Sequence, residues 1–133
     1  MNISFAITSY NEKDRGNYGW IKQCIAAPVK HPLVSEIVIT NDSNDEADLR
    51  KALDGIPKVR IIQNKVNMGV FGNKVESVAH CTNEWVQMVD SDNVMDASYI
   101  DKLEKLQLWD ASIIYCPSFA RPSFDYSDMI GPM

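Results

Sequence analysis

Strand-length apolar runs alternate along this chain with segments whose apolar side chains recur at helical spacing, and that alternation constrains the fold most. The runs at 3–8, 36–40, 59–63, 85–89 and 112–116 are rich in Ile, Val, Thr and aromatics and bounded by polar residues or Pro, the mark of buried strands. Ile21, Cys24 and Ile25 predict a short helix that stops before Pro28. Leu49, Ala52 and Leu53 predict a second, capped from 41–45 and ended by Gly55 and Pro57. Phe71, Val75, Val78 and Ala79 give the apolar stripe of a third, which begins near 69–72. Ile100, Leu103 and Leu106 give a fourth, capped by Asp96 or Ser98. Strands alternating with helices form βαβ units with right-handed crossovers, so the expected fold is α/β, a mostly parallel sheet with helices on both faces. The chain's 133 residues suit a single domain, 1–133. The tail, 118–133, has two prolines and little periodicity.

Open α/β sheets bind ligands beyond the carboxyl ends of their strands. Those ends carry Thr8-Ser9-Tyr10, Asn41-Asp42 and Asp90-Ser91-Asp92. Two hard oxygen donors one residue apart suit Mg²⁺ or Mn²⁺, which in turn holds phosphate oxygens. The helix start bearing Gly69 and Gly72 offers free backbone N–H groups to an anion.

Net charge is −5, which argues against nucleic acid or an anionic membrane as partner. Cys24, Cys81 and Cys116 are odd in number and widely spaced, as in reduced thiols of a cytoplasmic protein. Neither a signal peptide nor a membrane span is expected. Gly69-x-x-Gly72 lacks the rest of a dinucleotide fingerprint. His31 and His80 read as structural, and Trp20, Trp85 and Trp109 as core.

In order and spacing, the run 7–12, then 37–43, then Asn67-x-Gly69, then Asp90-Ser91-Asp92 resembles the nucleotide-sugar half of GT-A glycosyltransferases of family 2. The resemblance covers residues 3 to about 116. It implies a Rossmann-like GT-A nucleotide-binding sandwich that takes UDP or a UDP-sugar. Thr8 and Tyr10 would line the base pocket, with Tyr10 stacking on the ring, and Asp42 would accept the uracil N3–H. Asn73 and Lys74 fall near base and phosphates. Asp90 would face the ribose, and Asp92 would bind Mn²⁺ or Mg²⁺ with Asp90 beside it. Ser9 and Ser91 complete the expected nucleotide contacts. Transfer to an acceptor would proceed with inversion.

Two departures stand out. The family commonly shows two Asp after the second strand, and here the first is Asn41. After Asn93 the chain also lacks the Glu-Asp pair or Gln-x-x-Arg-Trp box of family acceptor-binding halves, so that half is expected to be absent. Asp110, Asp125 and Asp128 remain, but nothing in the sequence makes one of them the base. The alternative is a non-catalytic or merely hydrolytic nucleotide-sugar-binding module. A phospho-acceptor regulatory domain would want Lys after the fifth strand, where this chain has Cys116-Pro117. Apolar residues in the tail predict a homo-oligomer, since left bare they would make a large patch.

Overall fold

The computed structural model describes residues 1–106, 109–117, 119–120 and 124–125. Its elements are β1 (Ile3–Ser9), a 3₁₀ turn (Glu12–Asp14), α1 (Gly19–Lys30), β2 (Val34–Asn41), α2 (Glu46–Ala52), β3 (Val59–Gln63), α3 (Gly69–Ala79), β4 (Trp85–Asp90), α4 (Ala97–Lys105), β5 (Phe119–Ala120) and β6 (Phe124–Asp125). The first four strands form one parallel sheet in the order β3-β2-β1-β4. The chain steps outward from β1 to β3, then α3 carries it back to the far side of β1. Right-handed crossovers in opposite directions put their helices on opposite faces. They also leave a crevice between the carboxyl ends of β1 and β4.

The two faces are packed differently. Alternate residues of a strand point to opposite sides. Phe5, Ile7, Ile37 and Ile39 join Ile21, Cys24, Ile25, Leu49, Ile100 and Leu103 in the main core, so α1, α2 and α4 share one face. Ala6, Thr8, Val38 and Thr40 point the other way, toward α3, where the Thr40 hydroxyl donates to the Asn73 carbonyl at 3.2 Å. The small side chains there let α3 approach closely.

That approach overturns the expected orientation of α3. Its buried residues are Asn73 and Ser77, at helical spacing, whereas Phe71 is 81% and Val75 50% exposed. The helix carries two stripes, and the polar one is seated because Asn73 Nδ2 donates to the Ser9 carbonyl at 3.4 Å while its Oδ1 accepts from Asn64 at 2.9 Å.

Other expectations shift as well. Pro28 lies inside α1, which runs on to Lys30. The ring removes one donor in the last turn, and the His31 N–H closes that turn on the Pro28 carbonyl at 3.2 Å. Trp20 is half exposed and lies over Gly16, where a Cβ would come within 3.2 Å of the ring and φ is +65°. Trp85 and Trp109, by contrast, pack edge to face at 5.0 Å against the core. Asp45, not 41–44, stands at the start of α2, but its carboxylate serves other partners and makes no cap bond. Asp96 caps α4 by accepting from Ser98 N, as expected.

The fifth strand, 112–116, does not form. Asp110 Oδ1 accepts from Ser112 N at 2.8 Å and Ser112 Oγ at 2.6 Å, which commits the start of that run to a turn. Ile114 is 93% exposed, and the Tyr115 ring leans on Trp85 instead, 6.0 Å between centroids. Strand propensity was outweighed by the turn and by aromatic packing. Among the described residues β4 therefore pairs with β1 alone. Beyond it, β5 and β6 form a short antiparallel ladder, and the rest of the tail lies outside the described residues.

Candidate functional site

The crevice between β1 and β4 is a cavity of about 300 Å³. Thr8 and Tyr10 reach it from β1, Asp42 from the end of β2, Asn73 and Lys74 from α3, and Asp90, Ser91 and Asp92 from the end of β4. The register explains the convergence, since Thr8 lies opposite both Thr40 and Asp90. Ser9, alone among the expected contacts, does not line the cavity. It is fully buried, and its carbonyl accepts from Asp42 N at 3.0 Å. Asn67, Gly69 and Val70 also line the cavity, and so does Arg15. Nothing in the charged stretch 12–17 singled out Arg15 in sequence; only the turn that follows β1 brings it round.

Asp42 is engaged inside the protein. Its Oδ1 accepts from Met68 N at 2.6 Å and Asn64 Nδ2 at 3.0 Å, and its Oδ2 accepts from Gly69 N at 3.0 Å. The Met68 and Gly69 N–H groups at the start of α3 are thus taken by the protein's own carboxylate. Gly69 makes this possible, for its φ of +74° turns the N–H back toward Asp42. A carboxylate has about four acceptor positions. Three are used, which leaves one on Oδ2 for a further donor.

Each carboxylate of Asp90-Ser91-Asp92 already faces a cation. Lys74 Nζ lies 2.8 Å from Asp90 Oδ1, and Arg15 lies 3.5 Å from Asp92 Oδ2. Both carboxylates are partly exposed and present oxygen to positive charge within the cavity. The donor set therefore fits Mg²⁺ or Mn²⁺, with the two side-chain cations marking where positive charge is accepted. Ser91 donates to Glu12 Oε1. Glu12 is fully buried and its Oε2 lacks a hydrogen-bond partner. Burial pushes its carboxyl up, outweighing the Ser91 bond and the nearby Arg15. Glu12 went unremarked in sequence because it reads there as one more charge in a loop.

The loop after β1 is held in an unusual shape. Asn11, Gly16, Asn17 and Tyr18 all have positive φ. Buried Tyr18 is secured by its hydroxyl, which donates to Asp45 Oδ2 at 2.7 Å, and burial followed by that bond pushes its pKa up. Burial pushes the Asp45 carboxyl up too, but bonds from Tyr18, Asn41 and Ser43 outweigh it and hold the group below the usual range. Burial likewise pushes the Cys24 thiol up to about 12, and Cys24 donates to the Asp90 carbonyl at 3.6 Å.

The sequence model of Glycosyl transferase family 2 matches residues 4–130. The chain belongs to glycosyltransferase family 2. It is similar to a Mycobacterium tuberculosis protein described as a glycosyltransferase, 32% identical over 91 residues, 65% of this chain and 27% of that protein. Its fold is similar to the crystal structure of S. aureus TarS 1-349, with TM-score 0.63, 19% identity, and coverage of 79% of this chain and 32% of TarS 1-349. It is also similar to TarS 1-349 in complex with UDP-GlcNAc, with TM-score 0.62, 16% identity, and coverage of 79% and 30%. The chain thus spans about a third of those structures and about a quarter of the mycobacterial protein. These likenesses bear out the expectation of an α/β, GT-A-like fold.

Within this family member the Asn41 departure has a local cause. Asn41 is fully buried and its Nδ2 faces Asp45 Oδ1 at 2.9 Å, where a second carboxylate would repel. At the opposite end of the sheet His31, Asp101 and Glu104 lie close enough to surround an ion. His31 Nδ1 accepts from Leu33 N at 3.1 Å, so Nε2 carries the hydrogen and donates to Asp101 at 2.7 Å. The ring has no lone pair left on Nε2 and serves as a clamp between α1 and α4. His80 is likewise structural, bonded through Nδ1 to the Glu76 carbonyl at 2.9 Å. Asp110 serves its turn, its carboxyl held low by the bonds from Ser112. The side chain of Asp125, and Asp128 altogether, lie outside the described residues.

Proposed function

We propose that this chain binds the UDP-sugar donor of an inverting, metal-dependent glycosyl transfer to an acceptor not yet identified. The observation that carries the reading is the single open acceptor position on Asp42 Oδ2, in the same cavity as Tyr10, Lys74, Asp90 and Asp92. Uracil offers one N–H donor on its edge where cytosine offers a lone pair. Tyr10, half exposed at the rim, stacks on the base, with Thr8 and Ser91 beside the nucleotide. Asn73 shapes the pocket through its internal bonds, and Lys74 meets the phosphates. Asp90 faces the ribose and, with Asp92, holds Mn²⁺ or Mg²⁺. That ion neutralises the diphosphate leaving group. TarS, which shares the fold, has been crystallised with UDP-GlcNAc and with UDP, and this supports the choice of nucleotide. Residues 1–133 act as one donor-binding domain in this reading. No helix among the described residues is long and apolar enough to cross a membrane.

Competitive titration of UDP against CDP in the presence of Mn²⁺ tests the reading. The unmutated chain should prefer UDP, and Asp42→Ala should reduce that preference about tenfold or more, since mispairing a buried polar group costs about 1–3 kcal/mol. The ratio of the two affinities reports recognition even if the variant is less stable. Equal affinity for UDP and CDP in the unmutated chain would reject the nucleotide assignment. A panel of UDP-sugars, scored for transfer against hydrolysis, then separates an enzyme from a binding module.

A further inference from the structure

We infer that Arg15 is a diphosphate ligand held in reserve: its guanidinium rests on Asp92 in the free protein and passes to the donor phosphates when a divalent ion takes that carboxylate. The inference rests on the donor-binding reading and adds a residue and a coupling to it.

Two cations and three carboxylates line the cavity. Asp42 is occupied by the backbone at the start of α3. That leaves Asp90 and Asp92, and each holds one resident cation, Lys74 and Arg15. The two pairs differ. Lys74 sits at 2.8 Å, a close ion pair, whereas Arg15 is at 3.5 Å and 38% exposed, a weak pair that is cheap to break.

The Arg15 backbone, by contrast, is fixed. Its N–H donates to the Glu12 carbonyl at 3.1 Å, and Tyr18 N donates to the same carbonyl at 2.9 Å. The Glu12 side chain takes the Ser91 hydroxyl, between the two aspartates. The Tyr18 hydroxyl ties the loop to Asp45 at the start of α2. A weakly held guanidinium on an anchored stem can exchange partners without moving the loop. Its planar fork suits two phosphate oxygens at once, which a Lys ammonium does not match.

The consequence is a coupling between ion and nucleotide. A divalent ion arriving alone must displace both resident cations and then face them across the same cavity, which opposes it. A diphosphate supplies the negative charge that takes those cations up. Ion and UDP should therefore each tighten the other's binding by the same factor.

Calorimetric titration of the full chain with MnCl₂, with UDP, and with each in the presence of the other tests this in the unmutated chain, Arg15→Gln and Arg15→Lys. Unmutated chain should bind Mn²⁺ weakly alone and at least tenfold more tightly with UDP present. Arg15→Gln should bind Mn²⁺ alone several-fold more tightly and UDP with Mn²⁺ at least tenfold more weakly. Arg15→Lys should fall between. The opposite signs distinguish a ligand from a merely structural residue. Equal losses for both ligands in Arg15→Gln would make Arg15 a support of the cavity's shape and overturn the inference. Unchanged UDP–Mn²⁺ affinity in Arg15→Gln would also overturn it, and the donor reading would survive if UDP were still preferred to CDP. Failure of the unmutated chain to bind UDP at all would remove both.

Discussion

Asn41 Nδ2 faces three acceptors: the Ser43 carbonyl at 3.1 Å, Asp45 Oδ1 at 2.9 Å and Gln63 Oε1 at 2.8 Å. An amide donor there is what allows Asp45 to stay low and to accept from Tyr18. Asn41→Asp, which restores the residue usual in the family, should destabilise the chain by about 1–3 kcal/mol, because it leaves buried acceptors facing one another. Asp45→Asn in the same chain should recover part of the loss, and urea unfolding of the four variants of that cycle checks it. Glu12 makes a pH prediction. Its folded-state carboxyl is raised above the ordinary 4.5, so the folded chain binds that proton more tightly than the unfolded chain. Its contribution to stability is therefore greatest below 4.5 and declines as pH rises from there to the folded value, staying constant beyond. In metal-free buffer the unmutated chain should lose stability relative to Glu12→Gln across that window. A difference in Tm that does not change with pH would reject this account of Glu12.

At the scale of the element, α3 poses the clearest test. It has an apolar stripe and a polar stripe, and the polar one is buried against Ala6, Val38 and Thr40. Asn73→Ala removes the bonds to Ser9 and Asn64, while the Ser9 carbonyl keeps its bond from Asp42 N; two lost buried hydrogen bonds should cost about 1–3 kcal/mol together. Phe71→Ser and Val75→Ser lie on the exposed stripe and should change stability by less than about 0.5 kcal/mol. Urea midpoints in the reverse order would mean the apolar stripe is the buried one. The core on the other face is less forgiving. Ile37 and Ile39 are fully buried, and truncating either to Ala belongs to the class that costs about 2–5 kcal/mol.

Over the whole molecule, the described residues leave β4 without a second neighbour, and Met88, Ile113 and Ile114 exposed. An open edge beside apolar side chains invites pairing with another copy. Light scattering at micromolar concentration should then read a multiple of the 15.0 kDa chain mass, falling toward it when Ile113 and Ile114 are both changed to Ser. A single species at 15.0 kDa in the unmutated chain would end the expectation of a homo-oligomer. The side chains of the tail, on which that expectation first rested, lie outside the described residues.

The sequence by itself determined the order of elements as far as α4, the bounds of β3, the parallel α/β class and the strand-end residues Thr8, Tyr10, Asp42, Asp90 and Asp92. These follow from neighbours close along the chain: alternation within a run, helical spacing, and polar residues where a strand stops. Tertiary structure alone decided which stripe of α3 is buried, that the run at 112–116 turns instead of pairing, and that Ser9 faces inward. It also decided that Asp42 answers the start of α3 and that Arg15 meets Asp92 across the crevice. Each of those outcomes depends on what lies opposite in space. A side chain's partner there is set by how two surfaces fit, and neither surface exists until the sheet has formed.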